Sequence, residues 1–216
     1  MVEAIIDKTA VSRHGHVHTR RPWVINYPSA LSLTLLSHSI AGMMRQLHDR
    51  HPYSAIHVVA HSMGGVLTQR YLNLCSVANR CELIRSFTSI ASPFGGVSSA
   101  ESGVKYSPVV MPSWRDLAPG ADPIQSLFPS HDQSHFPPHL LIFAYQKSAA
   151  RLGESSDGTI LLSSQLRPEA QQQAESLYGA NASHVNVLTS PDVYKSIDQF
   201  WLTVETRKTL DVQQSK

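Results

Sequence analysis

Three polar residues at separate points of the sequence could together activate a nucleophile: Ser62, Asp157 and His184. A serine hydroxyl is a weak nucleophile until a histidine takes its proton, and that histidine needs a carboxylate to fix its tautomer. The chain order serine, acid, histidine is the order in which folds built on a nucleophile elbow supply these groups. The three residues therefore predict acyl-transfer chemistry through a covalent intermediate.

Ser62 lies in the segment VVAHSMGGVL, residues 58–67, between an apolar run and a helical pattern. A nucleophile elbow requires this context, because its serine occupies a strained turn whose neighbours must be small for strand and helix to approach. Ala60 takes the first small position of the G-x-S-x-G pattern, and two glycines follow Met63. The alternative is a serine that caps an ordinary helix.

Asp157 lies in the segment LLIFAYQKSAARLGESSDGTILLSSQL, soon after an apolar run, and His184 lies in YGANASHVNVL, before the last helical pattern. Each residue has a plain interpretation, because Asp-Gly is a common turn pair and the chain contains 12 histidines. The three residues in the required order favour a triad over coincidence.

Two kinds of apolar pattern surround these residues in the sequence. Short apolar runs predict strands at 21–29, 54–60, 83–92 and 139–146, and spacings of three and four predict helices at 30–51, 65–75 and 190–210. This alternation predicts an α/β domain with a mostly parallel sheet and helices on both faces, and such sheets carry their sites at the carboxyl ends of the strands. The length of 216 residues predicts one domain, 1–216.

The region 93–138 interrupts the alternation and is rich in Pro, Gly and Ser. Insertions of this size are usually lids, binding loops or disordered segments. Because it also contains Trp114, Leu127 and Phe128, we expect a docked, cap-like insertion in which Trp114 contributes to an apolar substrate cleft.

Composition excludes several classes of partner. A net charge of +2 with 16% charged residues is too weak for a nucleic-acid-binding surface. No apolar run approaches the roughly 20 residues of a transmembrane segment, and the opening residues lack the apolar stretch of a secretory signal. We therefore expect a cytoplasmic location for the chain as given; the sequence leaves the oligomeric state open.

The two cysteines, Cys75 and Cys81, are too few for a disulfide scaffold or a cysteine-built zinc site. An unpaired cysteine behaves mainly as a small buried hydrophobic residue. We therefore expect two reduced, partly buried thiols, the alternative being a local disulfide in an exported form.

Metal binding has a weaker basis. His14, His16 and His18 alternate, so on a strand they would share one face and could bind a metal ion. A functional site needs three or four convergent ligands, and no carboxylate cluster accompanies these histidines. Asp116 and Asp122 are acidic, but loop composition favours turn and cap residues there. We expect no metal and no cofactor.

Four motifs, AHSMGG, SIASPFGG, SSDGTILLSSQL and SHVNVL, resemble those of the α/β-hydrolase lipases and esterases, in particular bacterial members similar to the PGAP-type acyl-ester hydrolases. The similarity runs from about residue 23 to about residue 201. It implies Ser62 as nucleophile, Asp157 as triad acid and His184 as general base. It also implies Met63 as the residue whose backbone N–H helps to form the oxyanion hole, and Phe94, where these lipases often carry histidine, as part of the cleft wall.

The resemblance departs from the family at the start of the chain. The family usually has earlier strands there and a His-Gly loop that supplies the second oxyanion donor. Here His14-Gly15 is followed by only six residues before Pro22, too few for a crossover helix. We therefore expect an N-terminally shortened hydrolase with an irregular or divergent start at 1–20.

Three classes of function follow. The first is a serine hydrolase of carboxylic esters, lipid-like or of medium chain length because of the apolar insertion. The second is a catalytically weak or inactive scaffold that acts as a binding or interaction protein, since loss of one oxyanion donor typically lowers turnover by roughly 100- to 1000-fold. The third is metal-assisted hydrolysis at the N-terminal histidines.

Overall fold

The computed structural model describes residues 10–11, 17–18, 22–77, 81, 83–98, 111–129, 136–146 and 155–214. The elements in chain order are β1 (Ala10–Val11), β2 (Val17–His18), α1 (Leu33–Arg50), β3 (Ile56–His61), α2 (Met63–Val77), β4 (Ile84–Ile90), α3 (Pro112–Asp116), α4 (Asp122–Gln125), β5 (His139–Tyr145), α5 (Leu162–Gln165), α6 (Pro168–Gln173), β6 (Ser176–Asn181), a 3-10 helix (Asn186–Thr189) and α7 (Pro191–Gln214). Strands β1 and β2 form a small antiparallel pair, and β3 to β6 form the main sheet.

The main sheet is parallel, and its strands lie side by side in chain order, β3-β4-β5-β6. One row of paired residues across it runs through Ala60, Ser89, Leu141 and Leu177. Because all four strands point the same way, the loops that follow them meet at one edge. The predicted parallel α/β arrangement is confirmed.

Each face of the sheet covers a separate core, because successive side chains of a strand point to opposite faces. In β3, Val58 and Ala60 pack with residues of α1 and α2, whereas Val59 packs with residues of α7. Helices therefore cover both faces, as predicted. Among the described residues, no helix combines the length and the apolar character needed to cross a bilayer.

Helix α1 is held at its start by two side chains. The Ser32 hydroxyl accepts a hydrogen bond from the Leu35 N–H at 3.3 Å, as an N-cap residue does. The carboxylate of Asp116, at the end of α3, accepts the N–H of Leu33 at 2.7 Å. Asp116 is thus a cap residue, as its loop context predicts, although it caps a helix 83 positions away in sequence.

Two arginines dock the described part of the insertion on the rest of the domain. Arg70 of α2 donates to the carbonyl oxygen of Pro123 at 3.1 Å, and Arg167 donates to that of Ile124 at 2.7 Å. Leu127 is fully buried and belongs to the core that α1 and α2 share. Residues 111–129 are therefore docked, and their action as a cap over a substrate remains a prediction.

The segment at 21–29, where the apolar pattern predicts a strand, forms no regular strand among its described residues. Ile25 makes a single bridge, and Ile25 and Tyr27 pack against the core. Val24, the residue before Ile25, is 54% exposed. The segment is apolar because two of its side chains dock on the core, and this pattern is the same as that of a half-buried strand.

The two cysteines are bonded to each other, so the prediction of reduced thiols is wrong. Cys75 lies near the end of α2 and Cys81 lies just before β4, with their Cα atoms 5.2 Å apart, within the usual range for a disulfide. Both are buried. A spacing of six residues does not reveal whether the chain reverses direction between them, and the return from α2 to β4 brings the two sulfur atoms together.

His139, the first residue of β5, is buried between aromatic rings. Its ring stacks on Phe87 with centroids 4.5 Å apart, and it meets Phe94 edge-on at 6.2 Å. Its Nε2 atom lies 2.8 Å from Ser89 Oγ. Burial lowers the pKa of His139 to about 3, because a charged imidazole would lose its hydration there. The residue is neutral in the folded protein at neutral pH.

We expect the free energy of unfolding to decrease as the pH falls from 7 to 5. The unfolded histidine has a pKa of about 6.5, so between that value and about 3 the unfolded chain binds a proton that the folded chain does not. The contribution of neutral His139 to the free energy of unfolding is therefore fully present above the unfolded pKa and decreases as the pH falls below it. Urea unfolding at pH 7, 6 and 5 measures this dependence.

Two variants separate this effect from that of the other histidines. His139→Gln should depend less on pH than the wild type, because the glutamine does not titrate. His38→Gln changes an exposed histidine and should keep the wild-type dependence. The same slope in all three proteins would contradict the assignment to His139.

Candidate active site

Ser62 occupies the tight turn between β3 and α2. Its φ angle is +53°, in the left-handed region that residues with a side chain rarely adopt. Its backbone N–H donates to the carbonyl oxygen of Ile90 in β4 at 2.9 Å. Gly65 permits the close approach of α2, because a Cβ atom on it would lie 1.9 Å from Ser92 Oγ. This strained turn at the carboxyl edge of the sheet has the geometry of a nucleophile elbow.

His184, in the loop after β6, faces the serine. Its Nε2 atom lies 2.9 Å from Ser62 Oγ, and its Nδ1 atom lies 2.7 Å from Asp157 Oδ2. Both distances allow hydrogen bonds, so Nε2 can accept the serine proton while Nδ1–H donates to the carboxylate. The fold thus brings together a serine and a histidine that are 122 positions apart in sequence.

The carboxylate of Asp157 is buried in the loop after β5. Its Oδ1 atom accepts the backbone N–H groups of Thr159 at 2.9 Å and Ile160 at 2.7 Å. Burial alone would raise the pKa of Asp157, but the hydrogen bonds from His184, Ile160 and Thr159 together lower it below its ordinary value. The group is ionised at neutral pH and can stabilise a protonated imidazole.

Two further side chains contact these residues. His61 donates from Nε2 to the backbone carbonyl oxygen of His184 at 2.8 Å, and the two rings lie 4.5 Å apart. Burial, followed by charge on His184, lowers the pKa of His61 to about 4. Gln165 places Nε2 at 3.3 Å from Asp157 Oδ2. His61 lies inside the motif AHSMGG and Gln165 inside SSDGTILLSSQL, but no spacing rule connects either of them with Ser62, Asp157 or His184.

The structure gives positions for the other predicted site residues, Met63, Phe94 and Trp114, but does not test their predicted roles. Met63 begins α2, where backbone N–H groups have no acceptor within the helix, and its oxyanion role stays a prediction. Phe94 has no exposed surface, and its ring meets Phe128 edge-on with centroids 5.4 Å apart. Trp114 is partly buried in α3. Contact of Phe94 or Trp114 with a substrate stays a prediction, and Phe94 contributes here to the core.

The N-terminal candidates fall mainly outside the described residues. His14, Gly15 and His16 are not described, and of His18 only the backbone, in β2, is described. The role of His14-Gly15 in the second oxyanion donor and the alternative of a histidine metal site are therefore untested. Among the side chains that the structure does describe, no group of three or more His, Cys, Asp or Glu residues could hold a metal ion.

A second serine also lies beside a histidine and a carboxylate. Ser86 Oγ is 2.8 Å from His57 Nδ1, and His57 Nε2 is 3.1 Å from Glu205 Oε1. Ser86 is fully buried in β4, so no substrate can reach its hydroxyl. These contacts join β3, β4 and α7, and they show that residue types alone do not define a nucleophile.

Comparison with known proteins identifies relatives of this fold. Residues 30–203 match the model of a family described as "Alpha/beta hydrolase of unknown function (DUF915)". No curated protein matches the sequence. Similar solved structures include lipase BlEst2 of Bacillus licheniformis in its mature form, with 11% identity and a TM-score of 0.59 over 79% of this chain and 75% of that one.

Two other solved structures are similar over less of their own length. The product of gene lin2722 of Listeria innocua has 16% identity and a TM-score of 0.55 over 77% of this chain and 65% of that one. Phospholipase PlaB of Legionella pneumophila in complex with thio-NAD has 16% identity and a TM-score of 0.52 over 66% of this chain and 34% of that one. At these identities the likeness shows the fold alone, and this chain spans about a third to two thirds of these two proteins.

Proposed function

Because the chain belongs to a family of α/β hydrolases of unknown function, we propose that it is a serine hydrolase that cleaves carboxylic esters. The observation that carries the proposal is the hydrogen-bonded series from Ser62 Oγ through His184 to Asp157, with distances of 2.9 and 2.7 Å. A nucleophile, a base and a group that orients the base are the parts that acyl transfer requires.

The first half of the proposed reaction forms an acyl-enzyme. Ser62 Oγ attacks the acyl carbon of the ester while His184 Nε2 takes the serine proton. The carbonyl oxygen becomes an oxyanion, which the Met63 N–H at the start of α2 would stabilise. The tetrahedral intermediate collapses, the carbon–oxygen bond to the alcohol breaks, and His184 returns the proton to the leaving alcohol.

The second half releases the acid. Water attacks the acyl carbon, His184 accepts a proton from it, and the bond to Ser62 Oγ breaks as that oxygen regains its proton. Through both halves Asp157 stays ionised and orients the imidazole, consistent with the lowered pKa of its carboxyl.

We propose lipid-like or medium-chain esters as substrates. The docked insertion supports this class, since it presents the apolar residue Trp114 and buries Leu127 and Phe128. The lipase and phospholipase among the structural neighbours also support an ester of this kind.

A fluorophosphonate probe, which reacts with activated serines, tests the proposal on purified, folded protein. We expect one modified peptide, containing Ser62, and no labelling of Ser62→Ala. Ser86→Ala is the matched control, because that buried serine also contacts a histidine, and it should be labelled as the wild type is. A medium-chain ester should slow labelling more than an acetate ester at equal concentration.

Two results would overturn the proposed nucleophile, and a third would overturn the proposed substrate class. Labelling that persists in Ser62→Ala would place the nucleophile elsewhere. Absence of labelling in folded wild type would favour the alternative of an inactive scaffold. Protection by acetate that equals or exceeds protection by the medium-chain ester would overturn the lipid-like substrate class while leaving the nucleophile in place.

A further inference from the structure

We propose that Gln165 is a positioning residue for the triad, which holds the carboxylate of Asp157 in the orientation that accepts the proton of His184 Nδ1. The inference rests on the proposed function and names a residue that supports the same site. Gln165 ends the short helix α5 and is 1% exposed. Its Nε2 atom lies 3.3 Å from Asp157 Oδ2, the oxygen that also accepts from His184.

The direction of the Gln165 amide follows from its contacts with one residue of β5. The backbone N–H of Ala144 donates to Gln165 Oε1 at 2.8 Å, and Gln165 Nε2 donates to the carbonyl oxygen of Ala144 at 3.0 Å. A backbone N–H can only donate, so the amide oxygen must face it. The amide nitrogen therefore faces the carboxylate of Asp157, as a donor to a charged acceptor.

The two oxygens of the Asp157 carboxylate are held by different groups, and Gln165 acts on the oxygen that faces His184. Asp157 Oδ1 accepts the N–H groups of Thr159 and Ile160, which fix one end of the group. Rotation about the axis through that oxygen would carry Oδ2 away from His184. Gln165 Nε2 opposes this movement from the side of β5, and so connects the triad acid to the sheet.

Gln165 also has a structural role that must be separated from positioning. Its Nε2 atom lies 3.2 Å from the carbonyl oxygen of Ile160, so three acceptors share two N–H groups. Loss of the side chain would leave buried backbone groups of Ala144 without these partners, which lowers stability whatever the site does. A decisive test therefore measures a property of the triad in protein that remains folded.

The test compares the rate constant of fluorophosphonate inactivation in Gln165→Met with that of the wild type. Methionine keeps the length of the side chain but has no amide, so we expect inactivation to be about 10-fold slower, the size of one hydrogen bond to a charged group. Ser164→Ala is the matched control. It removes a buried hydrogen bond of the same helix, to the carbonyl oxygen of Gly96, and should lower the melting temperature without slowing inactivation.

A double-mutant cycle with Asp157→Asn shows whether Gln165 acts through Asp157. If it does, Gln165→Met should have little further effect on the inactivation rate once Asp157 is asparagine, because the coupled partner is gone. Equal effects in both backgrounds would overturn the inference and leave a structural role. An unchanged rate in folded Gln165→Met would also overturn it.

Proton NMR supplies a readout that does not need turnover. The His184 Nδ1–H proton, bonded to a carboxylate, should give a strongly downfield resonance in the wild type, and this resonance should move upfield or broaden in folded Gln165→Met. An unchanged resonance would overturn the inference. If the wild type is not labelled by the probe, the proposed function fails, and the resonance alone still decides whether Gln165 positions Asp157.

A second substitution covers the case in which the methionine variant does not fold. Gln165→Leu replaces the amide with a branched apolar side chain, which has no N–H to donate to Asp157. It should slow inactivation by about as much as Gln165→Met. Wild-type inactivation in folded Gln165→Leu would overturn the inference.

Discussion

Replacing His184 with glutamine should lower the turnover of an ester substrate by roughly a million-fold, the loss typical of a triad without its base. Glutamine can still contact Ser62 and Asp157, but it cannot accept a proton at neutral pH, so the serine hydroxyl is no longer activated. Turnover of a chromogenic ester, with the melting temperature as a check on folding, measures the effect.

His61→Gln is the control for this substitution, because His61 is the other imidazole at the site. Its ring lies 4.5 Å from that of His184, and its Nε2 atom donates to the His184 carbonyl oxygen. Glutamine can keep that donation, so we expect a far smaller loss. If His184→Gln retained more than about 1% of wild-type turnover, or if His61→Gln were the more damaging change, His184 would not be the base.

Replacing Asp157 with asparagine should lower turnover by roughly ten-thousand-fold, as in triads whose acid is made an amide. The two backbone N–H groups of Thr159 and Ile160 require an oxygen at the Oδ1 position. The amide NH₂ must then face His184 Nδ1, and two donors cannot face each other. The imidazole would carry its proton on Nε2 instead, where it cannot accept the proton of Ser62.

Asp116→Asn makes the same chemical change away from the triad. The Asp116 carboxylate accepts a hydrogen bond from the Leu33 N–H, and an asparagine can offer its amide oxygen to that group. We expect turnover within about two-fold of the wild type, since substitutions away from special sites have small effects. A loss of less than about 10-fold in folded Asp157→Asn would show that another group orients His184.

The parallel sheet could be predicted from the sequence, and the grouping of Ser62, His184 and Asp157 could be proposed from it, because each depends on local patterns in a required order. The apolar run before Ser62, the two glycines after it and the helical spacing that follows are all contained within about 20 residues. The chain order of Asp157 and His184 then selects them among many acids and histidines. These predictions need only the motifs and their order along the chain, and no knowledge of contacts between distant residues.

Strand β6 has no such local pattern. It is the segment SLYGAN, with Gly179 and Asn181 inside it and Leu177 46% exposed. At Gly179 an added Cβ atom would lie 2.6 Å from the ring of Phe143 in β5. A side chain at position 179 would therefore clash with the neighbouring strand. The sequence around position 179 does not reveal this requirement, because the contact is made with a residue distant in the chain.

Phe94 and the cysteines depend on contacts of the same kind. The ring of Phe94 meets Phe128 and His139, both more than 30 positions away, so only the assembled fold shows that it is buried. The bond between Cys75 and Cys81 depends on where α2 ends relative to β4. Spacing along the chain is a poor guide to either contact.

The ribosome adds His184 long after Ser62, because the two residues are 122 positions apart and His184 follows β6, the last strand of the main sheet. Domains generally begin to fold from the N-terminal side as the chain emerges from the ribosome, so the elbow can form long before its base is translated. Under the proposed mechanism, a nascent chain that ends before residue 184 would hold an unactivated serine and would have no hydrolase activity. The time at which the protein begins to react with the fluorophosphonate probe would therefore report when β6 pairs with β5 and brings His184 to Ser62.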